Sequence, residues 1–88
     1  MYKAPVLKKE ITYKGKRMEL SSIHSVMVRK WVDRRSSMCR TLYTDDDGNL
    51  WCSWFGKMTR VNMVDVPSRT HKGKTVKVAV VDESETED

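Results

Sequence analysis

Asp45, Asp46 and Asp47 stand before Gly48 and an aromatic run, Leu50-Trp51-Cys52-Ser53-Trp54-Phe55. Acids around a glycine suit calcium, whose EF-hand loop needs oxygen ligands at positions 1, 3 and 5, glycine at 6 and a bidentate glutamate at 12. With Gly48 at position 6, Asp45 and Asp47 fall at 3 and 5, but position 1 is Tyr43 and position 12 is Trp54. Neither can serve, and the flanks read as strands rather than helices. Asp-Gly between two β-rich runs signals a hairpin instead, because a type I′ turn requires positive φ at both central residues. The acids read as a turn tip that faces away from any anionic surface.

The other residues able to do chemistry are scattered. Cys39, Cys52, His24 and His71 follow no CxxC or HxxxH spacing, so neither a metal nor another cofactor is expected. The two cysteines read as buried free thiols, too few for a disulfide framework. His24 has no nucleophile at a telling spacing, Ser22, Ser36 and Ser37 sit in no nucleophile elbow, and Lys72-Gly73-Lys74 lacks the spacing of a P-loop. A nucleic-acid hydrolase would need acids converging on a metal, and the one acid cluster is the turn tip. The reading is non-enzymatic.

Charge says more. The net charge is +5, yet the last seven residues, Asp82 to Asp88, hold five acids and no base, so residues 1–81 carry +10. Such a body attracts polyanions through counterion release. The bases cluster in Arg29 and Lys30, in Arg34 and Arg35 of a Ser-rich loop, and in Arg69, Lys72 and Lys74 of the basic loop 69–74, where His71 also lies. Loops of small residues bring amides and cations close to phosphates.

An even-numbered loop at the acidic tip, either 47–48 or 45–48, fixes which side chains share a face. Cys39, Thr41, Tyr43, Leu50, Cys52 and Trp54 then form an uncharged core face. The other face carries Met38, Arg40, Leu42, Trp51, Ser53 and Phe55 and sets Arg40 among Leu42, Trp51 and Phe55, the composition of a platform on which bases stack. Trp31 could add a third ring. An odd loop would shift the pairing and dissolve this platform, and the same rings would also serve as core with Arg40 lying over them.

The elements that must position these groups are short. Residues 8–20 read as a hairpin turned at Lys14-Gly15-Lys16, with Gly15 suited to positive φ. Residues 22–34 carry Ile23, Met27 and Trp31 at helical spacing, but their β-branched content favours a strand over 26–32. Strands follow at 38–44, 49–55, about 60–66 (stopped by Pro67) and 75–81. The fold class expected is mainly β: a small, highly curved antiparallel sheet or SH3/OB-like barrel. The alternative is α+β, with one helix at about 22–34 on an antiparallel sheet. A single domain covers 1–81, and 82–88 is expected to be a mobile acidic tail.

The chain lacks both a run of about 18 apolar residues and the apolar centre of a signal peptide, so no membrane partner and a cytoplasmic location are expected. In overall character (short, basic, with six methionines and an acidic end) the chain resembles the short early and accessory proteins of tailed bacteriophages. The resemblance implies a nucleic-acid accessory protein or an inhibitor of a host enzyme, and no site residue is carried over from it. A basic body before an acidic tail is also similar in arrangement to single-stranded DNA-binding proteins, without their terminal apolar residue. The leading expectation is a module for nucleic acid, single-stranded rather than duplex. The runner-up is a small protein that docks on an acidic patch of a host or partner enzyme.

Overall fold

The computed structural model describes residues 6–32 and 37–88. Six strands follow one another: β1 Lys8–Tyr13, β2 Lys16–Arg29, β3 Ser37–Thr44, β4 Leu50–Trp54, β5 Lys57–Pro67 and β6 Thr75–Thr86. Each pairs antiparallel with the next. Strands β2 to β6 form a closed five-stranded barrel and β1 adds an extra strand. An odd-numbered meander brings its first and last strands together pointing the same way. The closure is accordingly parallel, Val28 facing Ala79 and Arg29 facing Val80. This is the small barrel expected from the sequence, and no helix occurs among the described residues. None is therefore long and apolar enough to cross a membrane.

The segment with helical spacing is the second half of β2. A register shift between Ser22 and Ser25 bends this strand, so its first half pairs with β1 and its second half reaches β6. Small polar residues suit such a bulge, which sharpens local twist. Past it, Val28 is buried and Val26 packs against the core, while Ile23, Met27 and Trp31 stay exposed. The stripe that suggested a helix lies outside the barrel core.

Two clusters hold the sheet. Val28, Leu42, Cys52, Trp54, Val61, Ala79 and Val81 fill the barrel. Ile11, Leu20, Trp51 and Met58 form the second cluster, with Tyr13, Met18 and Tyr43 against them. Successive strand side chains point to opposite faces, so Cys52 and Trp54 enter the first cluster and Trp51 the second. The β1–β2 hairpin covers that outer side, and β4 is buried on both faces.

The acidic end is not the mobile tail expected. Residues 82–86 continue β6. Beyond them, the Glu87 N–H donates to the Met58 carbonyl at 2.9 Å and the Asp88 N–H to the Thr12 carbonyl at 2.7 Å. The Asp88 carboxylate accepts the Lys14 and Gly15 N–H groups of the β1–β2 turn at 3.2 and 2.9 Å. Low hydrophobicity is offset here by backbone pairing and by carboxylates meeting otherwise unpaired donors.

Candidate functional site

The platform expected on Trp51 does not form, because the β3–β4 loop is odd. Thr44 faces Leu50, Tyr43 faces Trp51 and Leu42 faces Cys52, which leaves five loop residues, Asp45 to Asn49. Asp45 sets that length. Its N–H donates to the Asn49 carbonyl at 3.1 Å, and its carbonyl accepts the Gly48 N–H at 3.1 Å. Its Oδ1 accepts the Asp47 and Asn49 N–H groups at 2.9 Å each. Its Oδ2 accepts the Trp51 Nε1–H at 3.0 Å. Burial works to raise the Asp45 pKa, but the hydrogen bonds from Trp51, Asn49 and Asp47 prevail and hold the carboxyl below its ordinary value.

Trp51 is consequently buried completely. Its ring meets Tyr13 edge-to-face at 5.0 Å, and the Arg60 guanidinium lies 5.6 Å from its centre. It offers no stacking face.

The odd register builds a different surface. Arg40 now shares a face with Trp54, its guanidinium carbon 6.0 Å from the ring centre. One arm of that guanidinium donates to the Cys39 carbonyl at 2.9 Å, and the other lies 3.5 Å from the Met38 sulfur. Beneath it, burial pushes the Cys52 thiol up to about 11 despite the opposing Arg40 charge. Cys39, expected to be buried like Cys52, is exposed.

Phe55 forms the tip of this surface. Trp54 pairs with Lys57, leaving a two-residue β4–β5 turn of Phe55 and Gly56. Their φ values are +48° and +84°, the pattern of a type I′ turn. Gly56 fits that region freely, whereas a bulky side chain there is an outlier. Phe55 is nevertheless 79% exposed, touching Trp54 edge-to-face at 5.2 Å. The large exposed ring occupies a position where the backbone favours asparagine or glycine.

Strands β3 and β4 pair from Thr44–Leu50 only as far as Leu42–Cys52, while β3 begins at Ser37. Beside this unpaired stretch lies a cleft of about 300 Å³, lined by Lys30, Trp31, Ser37, Met38, Trp54 and Phe55. The Lys30 ammonium stands 4.9 Å from the Trp31 ring centre and 3.4 Å from Glu83. Trp31 is 45% exposed.

The remaining basic candidates divide. Arg29, half-buried, donates to the Val32 carbonyl at 3.1 Å. It faces a second groove, of about 580 Å³, whose other wall is the β5–β6 hairpin with Val66, Ser68, Arg69 and Val76. Lys72 and Lys74 are exposed on the loop of that hairpin. Ser68 Oγ shapes this loop by accepting the Thr70 and His71 N–H groups at 3.3 and 3.2 Å. Arg34 and Arg35 lie outside the described residues.

The structure thus brings Lys30 and Phe55 to one cleft, sets Arg40 over the Trp54 ring, gathers Arg29 and Arg69 at a second groove, and removes Trp51. Sequence reasoning missed the parts played by Met38 and Trp54. The signal was present in Phe55-Gly56, which can be read as a second two-residue turn. Comparison with family models, curated proteins and solved structures finds no match.

Proposed function

We propose that this domain is a non-enzymatic module that binds single-stranded nucleic acid, with Phe55 and Trp31 stacking on unpaired bases. Phe55 carries the reading. An aromatic ring held mostly in solvent by an unfavourable turn conformation costs local stability, as strained recognition residues do. Stacking on such a ring contributes about 1–3 kcal/mol per base, whatever the base. Bases in a duplex are not available to it, which favours single strands. Lys30 shares the cleft with Phe55 and Arg40 lies over the neighbouring Trp54 ring, and Arg29, Arg69, Lys72 and Lys74 offer further charge to the phosphate backbone. Two free cysteines suit a reducing compartment, so we place the activity in the cytoplasm. An accessory protein of the phage kind fits the same picture.

Tryptophan fluorescence titrations with single-stranded and duplex oligonucleotides at two salt concentrations test this. Single strands are expected to bind more tightly, with a slope of log affinity on log salt of about −2 to −3, from three or four phosphates neutralised. Absence of binding below about 100 μM at low salt, weaker than ordinary non-specific affinity, would refute it.

One observation favours docking on a protein instead. Glu83 already occupies Lys30, leaving a Trp, Phe, Met and Arg cluster of the kind that anchors protein interfaces. Capture of a partner protein by the wild type but not by Phe55→Ala, together with no oligonucleotide binding, would select this second reading.

A further inference from the structure

The β5–β6 hairpin runs on past the barrel. Val61 is the last β5 residue to pair with β4, and Ala79 is the first β6 residue to pair with β2. Beyond them Val64 faces Val78, Asp65 faces Lys77, Val66 faces Val76 and Pro67 faces Thr75. Among the described residues, no further strand lies on either edge of this ribbon. Two grooves separate it from β2: one of about 580 Å³, walled by Arg29, Val66 and Val76, and one of about 370 Å³, walled by Met27 and Lys77. The radius of gyration, 14.2 Å, exceeds the roughly 12 Å of a compact chain of this length, as a projecting element requires. A two-stranded ribbon is at best marginally stable by itself, so this one borrows its rigidity from the barrel strands that it continues.

Charge and shape point to what the ribbon holds. No acid stands between Asp65 and Asp82, and Asp65 itself is paired with Lys77 at 3.2 Å. Arg69, Lys72 and Lys74 are exposed at the tip, and the body behind them is slim, mostly valine with Pro67 and Thr75. From Val64 to Pro67 the ribbon is about 10 Å long at about 3.4 Å per residue, and the tip loop lengthens it. The major groove of duplex DNA, about 12 Å wide and 8.5 Å deep, admits a two-stranded ribbon; that of duplex RNA is too narrow. Resting on the nucleic-acid reading above, we infer that the hairpin is an arm that enters the major groove of duplex DNA, and that the preferred substrate is a DNA duplex carrying a single-stranded extension. The tip cations meet the phosphates that border the groove. Phe55 precedes β5 and the arm ends it, and the 11 residues of that strand span about 33 Å, or about ten base-pair steps. The unpaired extension stacks on Phe55 while the arm holds the paired region, and tethering on one nucleic acid lets the two contacts reinforce each other.

The test titrates a DNA single strand of about 12 nucleotides, within ordinary single-strand site sizes, and the same strand attached to DNA and RNA duplexes of about 12 base pairs. A non-specific duplex contact of about 100 μM, tethered at an effective concentration near 1 mM, predicts that the DNA duplex with its extension binds about tenfold more tightly than the strand alone. The RNA duplex should add less than about twofold. Deleting Asp65, Val66, Val76 and Lys77 shortens the arm while leaving net charge and side-chain alternation unchanged, and should bring the DNA gain to within about twofold of unity. Should that chain fail to fold, Arg69→Ala/Lys72→Ala/Lys74→Ala, confined to the exposed loop, decides: it should abolish the same gain and flatten the salt slope of the duplex substrate by up to about 2.7. Phe55→Ala should weaken the single strand and leave a blunt DNA duplex unaffected. No gain from the DNA duplex, an equal gain from RNA, or a gain that survives the shortened arm or the triple variant would overturn the inference and leave the nucleic-acid reading standing. Binding of none of these substrates would remove both.

Discussion

Asp45 and Trp51 convert an acidic tip into a structural joint. The carboxylate satisfies two loop N–H groups and the buried indole. Hydrogen bonds to a charged group contribute about 1.5–3 kcal/mol each. Asp45→Ala, which orphans the Trp51 N–H within the second cluster, should therefore destabilise the domain by about 3 kcal/mol or more, readable by urea unfolding. The pH dependence follows from its lowered pKa. A carboxyl whose folded value is depressed contributes fully above its unfolded value, near 3.9, and loses that contribution as pH falls through the lower folded value. The stability gap between wild type and Asp45→Asn should accordingly shrink as pH drops from about 5 to about 2. A constant gap would assign the loop to something other than the ionised carboxylate. The sequence marked Asp45 as a turn residue but not as the buried one. Asp45, Asp46 and Asp47 look alike in a string, and only the register shows that Asp45 reaches an indole six residues on.

Hairpin lengths govern which residues meet. At β3–β4 the Asp-Gly signal located the loop correctly, yet the Asp45 hydrogen bonds lengthen it to five residues and exchange which β3 residues share a face with which β4 residues; Cys52 and Trp54 stay in the core as expected. The rings and cations were legible because composition reveals them; their partnership was not, because a change of one residue in loop length moves Arg40 from Trp51 to Trp54. The β4–β5 turn makes a prediction of its own. Asparagine before glycine suits a type I′ turn, so Phe55→Asn relieves strain of about 1–3 kcal/mol, against an edge-to-face contact of about 0.5–1.5 kcal/mol lost with Trp54. The melting temperature should rise, by roughly 4–8 °C per kcal/mol gained in a domain of this size. A fall measured by calorimetry would mean that Phe55 is there for stability.

Across the whole molecule, the acidic end helps to hold the fold while trimming its charge. A mobile tail could be removed without harm to the fold; the β6 extension and the Asp88 contacts with the first turn argue that truncation would damage the sheet. Glu83→Gln is the cleaner probe, because its pair with Lys30 is about half exposed and such pairs contribute at most about 1 kcal/mol to stability. It should leave melting almost unchanged and tighten oligonucleotide binding at low salt by about two- to fivefold, an advantage that fades at high salt. Barrel class was readable from six or seven short β-rich runs with turn residues between them. Closure was not, since it depends on the bend between Ser22 and Ser25 that carries β2 across to β6. The central claim, that Phe55 is exposed for binding rather than for folding, is tested most directly by titrating wild type and Phe55→Asn with one single-stranded oligonucleotide beside parallel melts. The account predicts a loss of affinity of tenfold or more, within the range of one lost stacking contact, at an equal or higher melting temperature. Unchanged affinity in a folded Phe55→Asn protein would contradict it.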